Sequence, residues 1–250
     1  MKPFQTGSAV FSEPEVGLRK LDLCTLTTLL VLFLVTAVSM ASATSLAIVN
    51  ADFSAIPVVC GGGFAYQSFG GGGDCSSPNP QQDFNATPGF GWTYLLFSGN
   101  GVTEPNSAFN PPSFVGMPFA QAAFLQDGAS FVLQAIGGFS ASQTYVLSFY
   151  LGSRWFSAEG DQTVQASIDN KILDTWVLTS FTPFTRETVV FTVPTDGVHT
   201  IQFEGLHFGD DTAFLSGVAI NTVPEPSSLA LMLAGVLGAG AARVRSAWQL

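Results

Sequence analysis

The stretch Thr144-Tyr145-Val146-Leu147-Ser148-Phe149-Tyr150-Leu151 decides the fold class. Tyr145, Leu147, Phe149 and Leu151 fall on one face at a period of two, with Val146, Ser148 and Tyr150 on the other, as in a strand that packs on one side. The period recurs downstream. Residues 162–168 set Val164, Ala166 and Ile168 against Thr163, Gln165 and Ser167, and Asp169-Asn170 is a tight turn into residues 171–178. Residues 187–193, 198–206 and 213–220 complete this half, divided by Pro194-Thr195-Asp196-Gly197 and Gly209-Asp210-Asp211. Upstream, residues 46–53, 90–97, 119–125 and 130–136 read as strands, the last two joined by Gln126-Asp127-Gly128. Residues 54–89 and 104–118 are Gly- and Pro-rich loops. About ten short strands, with no helical period between them, predict an all-β sandwich. Composition agrees, since 26 Gly, 23 Phe and 14 Pro accompany only 10% charged residues, a mix suited to strands and tight turns.

The two ends read differently. Arg19-Lys20 leads into an apolar run densest at residues 29–38, and Ala41-Ser42-Ala43 follows as a small-residue cleavage site. Residues 1–43 are therefore expected to be a signal helix, taken by the Sec translocon and cut by signal peptidase after Ala43. An uncleaved anchor helix is the alternative. Cys24 leaves with the leader, and Cys60 and Cys75 are expected to form a disulfide in an oxidising compartment. At the other end, Val223-Pro224-Glu225-Pro226 precedes an apolar segment, residues 229–242, and then Arg243 and Arg245. A Pro-locked motif, a helix-competent segment and a basic stop describe a sorting signal with a short transmembrane helix. Counted from Ser227 the segment spans about 24 Å, short of a hydrocarbon core of about 30 Å, which suits transient retention in the inner membrane. By the positive-inside rule the arginines stay cytoplasmic. The expected organisation is a leader over 1–43, a sandwich domain over 44–222 and a sorting signal over 223–250.

Between Thr44 and Thr222 three basic residues face fourteen acidic ones, a net charge of −11. Such a surface repels phosphate backbones, so no nucleic-acid partner is expected.

The V-P-E-P…Arg-x-Arg ending resembles the PEP-CTERM signal of Gram-negative bacteria, which implies an exosortase as partner. The sandwich region resembles the galactose-binding-like jelly rolls, which include carbohydrate-binding modules. The resemblance rests on I-V-N-x-D-F at Ile48, G-W at Gly91, T-Y-x-L-S-F at Thr144, I-D-x-x-x-L at Ile168, G-x-H-T-I-x-F at Gly197 and F-L-x-x-V-x-I at Phe214. It implies a jelly-roll fold and an exported protein associated with the cell surface or with exopolysaccharide in a biofilm. Two roles stay open, a non-catalytic glycan-binding module and a structural matrix component without a small ligand.

Candidate ligand contacts are Trp155 and Trp176, whose rings match the apolar face of a pyranose, and Arg154, which can bond sugar hydroxyls. Trp92 is expected in the core. A structural calcium of the kind such jelly rolls hold would need oxygen ligands, for which Asp52, Asp210 and Asp211 are the candidates. The usual closing F-L-D-D-V is here Phe214-Leu215-Ser216-Gly217-Val218, so two ligands of the family pattern are missing. No catalytic set is expected. His199 and His207 lie about 26 Å apart on an unbroken strand, and Glu159 and Asp161 share one solvated loop.

Overall fold

A computed structural model describes residues 43–68, 74–76, 80–95, 99–107, 118–154 and 162–224. Residues 42–224 form one compact unit. Its described residues are all-β, arranged as a sandwich of two sheets. Twelve strands are described: β1 (Phe64–Gln67), β2 (Gln81–Gln82), β3 (Thr93–Tyr94), β4 (Gly99–Thr103), β5 (Ala122–Gln126), β6 (Phe131–Phe139), β7 (Thr144–Ser153), β8 (Gln162–Ile168), β9 (Lys171–Leu178), β10 (Thr185–Thr192), β11 (Gly197–Gly205) and β12 (Thr212–Thr222). One sheet runs β10-β7-β12-β5-β4-β1-β2 and the other β3-β6-β11-β8-β9.

The period-two readings of residues 144–151 and 162–168 hold in β7 and β8. Tyr145, Leu147, Phe149 and Leu151 of β7 are buried against Val164, Ala166 and Ile168 of β8 and Ile201 and Phe203 of β11, forming the core between the sheets. Asp169 and Asn170 both take left-handed φ, 48° and 65°, as the two-residue turn between β8 and β9 requires.

Residues 46–53 are not a strand. Ser45 makes one bridge to Asn221, and the chain then turns, with Asn50 and Phe53 at φ 54° and 60°. The Asn50 carboxamide enforces this turn, donating to the Phe90 carbonyl and accepting from the Ala55 N–H. Of the strand expected over 90–97, the described residues 90–95 hold only the two-residue β3, because Gly91 sits at φ 81° and breaks the extended run. Conversely, the loop expected over 54–89 contains β1 and β2, and β4 precedes the second loop. The Cys60–Cys75 disulfide closes the segment that holds β1.

The two ends of this unit meet. The Thr44 N–H donates to the Thr222 hydroxyl, Thr222 N–H to the Thr44 carbonyl, Leu46 N–H to the Ile220 carbonyl, and Val223 N–H to Thr144. Among the described residues no helix is long and apolar enough to cross a membrane, and the expected signal helix and tail helix both lie outside them.

Candidate functional site

Strand register gathers one set of loops at one end of the sandwich. Gln126 ends β5 opposite Thr212 at the start of β12, and Ser153 ends β7 opposite Ala213. Gly205 ends β11 opposite Val164, near the start of β8, and Leu178 ends β9 opposite Gln162. The turns over 126–130, 178–185 and 205–212 therefore share that end with Arg154.

A chain of polar groups runs across it. The Tyr66 hydroxyl donates to Gln126 Oε1 at 2.6 Å, and Gln126 Nε2 donates to Asp210 Oδ1. The same oxygen accepts from Arg154 Nη1 at 3.0 Å. Burial raises the Tyr66 phenol above its usual value, with Arg154 and Asp210 acting in opposite senses, so it stays protonated as the donor that Gln126 needs. The Arg154 side chain is mostly covered and that of Asp210 is 60% exposed, so the chain opens to solvent at its acidic member.

Beneath Tyr66 lies a second apolar cluster on the outer face of the seven-stranded sheet. Phe124, Phe184 and Phe214 are buried there with Ala122, against half-buried Phe64, Tyr66 and Tyr150. Tyr66 meets Phe124 edge-on at 5.0 Å. This fixes the phenol and, through it, the polar chain.

Beside Asp210 stands Phe208, 78% exposed. Its ring rests on the Asp127–Gly128 turn, where a methyl at position 128 would come within 2.8 Å of the ring carbons. Asp127 Oδ1 accepts the N–H groups of Gly128 and Gly209, tying this turn to the loop that carries Phe208. The loop is braced again from below. Gln162 accepts the His207 N–H and donates to the Asp211 carbonyl, and His207 Nδ1 bonds the buried Asp211 carboxylate at 2.7 Å. Phe208 is thus an exposed ring on a fixed base, with a carboxylate, a guanidinium and a carboxamide alongside. Its only sequence signal is a large aromatic between His207 and Gly209 in a turn, which is too weak to have singled it out.

The sequence candidates are distributed as follows. Arg154 is in the chain just described. Trp176 is half-buried, its ring edge-on to Phe149 at 5.0 Å, so much of its surface goes to packing. Trp155 lies outside the described residues, as do Glu159 and Asp161. Trp92 is in the core, stacked on Phe53 with its indole N–H donating to the Asn50 carbonyl. The three calcium candidates are not brought together. Asp52 caps its own turn through the Ser54 N–H and hydroxyl, and its carbonyl accepts from Ser216. Asp211 lies five residues from Ser216 along β12, about 17 Å away. Of the tail motif, Val223 and Pro224 are described, and Glu225, Pro226, Arg243 and Arg245 lie outside, as does Ala41 of the leader site.

Comparison with solved structures returns the same architecture. A Stig cyclase, Fisc, from Fischerella sp. TAU, solved with (3Z)-3-(1-methyl-2-pyrrolidinylidene)-3H-indole, is similar over 73% of this chain and 99% of its own, at 17% identity and a TM-score of 0.50. That likeness is one of fold. Carbohydrate-binding modules also appear: a CBM4 domain at 15% identity, covering 71% of this chain and 100% of its own with a TM-score of 0.39, and the CBM22-1 xylan-binding domain of Paenibacillus barcinonensis Xyn10C at 12% identity, covering 56% and 90% with a TM-score of 0.37. No curated protein matches the sequence. Residues 222–246 match the model of the PEP-CTERM protein-sorting motif. The chain therefore carries, directly after its last strand, the PEP-CTERM signal that exosortases recognise, and it is an exported protein held at the membrane before processing.

Proposed function

We propose that this protein is a non-catalytic glycan-binding module of the cell surface or exopolysaccharide matrix, delivered through the Sec translocon and released from the inner membrane by exosortase. The observation that carries the reading is Phe208, an exposed ring seated on Gly128 beside the Arg154–Asp210–Gln126 chain. A pyranose has an apolar C–H face and a rim of hydroxyls. The ring meets the first, while the Asp210 carboxylate accepts from the second and the guanidinium and carboxamide reach it from either side. These polar groups are already bonded to one another, so they are positioned before a ligand arrives and lose little freedom on binding. An export signal is what a protein acting on surface glycan would need, and it supports the reading.

Calorimetric titration with purified matrix exopolysaccharide tests this. Phe208→Ala is expected to weaken binding about tenfold, a loss of about 1.4 kcal/mol, with the fold intact because the ring is exposed. Unchanged affinity in this variant would overturn the site. A wild-type domain that binds no glycan would favour the structural-matrix role instead.

A further inference from the structure

Backbone oxygens collect where the first turn of the sandwich meets its last strand. The carbonyls of Asp52, Phe53, Ile56 and Gln121 meet two buried side chains there, those of Gln121 and Ser216. Acceptors held together out of water need either a cation or a matching set of donors. The jelly-roll pattern resembled here supplies a structural calcium, with two aspartates in its closing strand. In this chain those two positions are Ser216 and Gly217.

Donors meet the need instead. Gln121 Nε2 donates to the Phe53 carbonyl at 2.5 Å and to the Ile56 carbonyl at 2.9 Å, while Oε1 accepts from the Val58 N–H at 3.2 Å. The partners fix this orientation of the carboxamide, since carbonyls can only accept and an N–H can only donate. The Glu104 carboxylate stands 3.4 Å from the Val58 end, too far to outweigh the two shorter bonds. Ser216 donates to the Gln121 carbonyl at 2.9 Å and lies 3.4 Å from that of Asp52. Gly217 has φ 61°, and a Cβ there would fall 2.2 Å from a Phe119 ring carbon. An aspartate at 217 would therefore meet both the ring and a backbone that favours glycine. The Asp52 carboxylate is turned to the Ser54 N–H and hydroxyl. These residues do not fit a calcium ion, which takes about six to eight oxygens with carboxylates among them.

We infer that the Gln121 carboxamide does the work of the pattern's structural ion, so that the first turn is tied to the last strand without calcium. The segment Phe119-Ala120-Gln121 supplies both replacements, a ring against Gly217 and an amide on the carbonyls. A neutral donor suits this place because no carboxylate faces the carbonyls and none is left needing a counter-charge. The consequence is a domain whose stability does not follow the calcium level outside the cell.

Thermal melting of the purified protein in EGTA and in millimolar calcium chloride tests this. The wild-type Tm is expected to be the same in both media, a comparison that needs no variant. Gln121→Glu exchanges the two N–H donors for a carboxylate facing carbonyls, and its Tm in EGTA is expected to fall by about 5 °C. Calcium is expected to restore most of that loss, because the new carboxylate and the carbonyls together make a hard oxygen set. Gln121→Met keeps the length of the side chain without donor or charge, and is expected to lose Tm equally in both media. A wild-type Tm higher in calcium than in EGTA would overturn the inference, since an ion would then be holding the carbonyls. So would wild-type melting of either variant in EGTA, or a Gln121→Glu protein that calcium leaves unrestored.

Discussion

His199 shows how one side chain can impose a pH limit. It is buried at the end of the sandwich away from the loops that carry Phe208, with Nδ1 on the Asp169 carboxylate and Nε2 2.8 Å from the Thr195 carbonyl. Both partners are acceptors, so both ring nitrogens must carry protons. The bond to Asp169 raises the imidazole above 6.5, burial opposes this, and the Thr195 carbonyl adds to the rise. For Asp169, desolvation raises the carboxyl, but the bonds from His199 and the Thr200 N–H outweigh it and leave it below 3.8. A raised histidine stabilises fully below its unfolded value and loses that contribution as pH rises through its folded value. A lowered carboxylate contributes above its unfolded value and loses that as pH falls through its folded value. The pair is therefore fully stabilising only between about pH 4 and 6.5. Tm is expected to fall from pH 6 toward pH 9, and His199→Gln to flatten that slope; an identical slope in the variant would discount the pair. Neither partner stood out in the sequence, where Asp169 is a turn residue and His199 one of two scattered histidines.

At the scale of elements, β5 to β12 follow from alternation and turn signals, but β1, β2 and β4 do not. Phe64-Ala65-Tyr66-Gln67 lies between glycine runs, and only Ala65 and Gln67 are buried in the alternating sense. It becomes a strand because β4 pairs with it and the neighbouring disulfide holds its flank. Closing the Cys60–Cys75 loop, a separation of 15 residues, restricts the unfolded chain and stabilises by about 3 kcal/mol. Replacing both cysteines with serine is expected to lower stability by about that amount in denaturant titration. Tyr66 sits on β1, so glycan affinity should fall with it; equal stability in the variant would show that β4 alone holds β1. Alternation also identified Tyr150 as pointing away from the main core, yet nothing in the pattern revealed a second cluster on that face. Phe124 and Phe214 are wholly buried there because loops and neighbouring aromatics cover the outer side of the sheet.

The compact unit over residues 42–224 is a sandwich whose two ends are clasped together. Thr44, the first residue after the expected leader cut, bonds Thr222, where the sorting motif begins. Glu225→Ala is expected to block release, leaving a membrane-associated precursor with unaltered glycan affinity. Mass spectrometry of the membrane and extracellular fractions checks this, and normal release of the variant would show that processing does not depend on Glu225.

The sequence by itself determined the address and the fold class. A terminal motif is read as a linear string, and alternation needs only the period of a strand and the requirement that one face be buried. The candidate binding end was decided by tertiary structure alone. Phe208, Arg154, Asp210, Gln126 and Tyr66 span 145 positions of chain. Strand register, not local pattern, sets them side by side. Exposure sets Phe208 apart from Trp92 and Trp176, which spend their rings on packing while Phe208 keeps its face in water; Trp155 lies outside the described residues. Exposure is a property of neighbours, and neighbours exist only once the chain has folded.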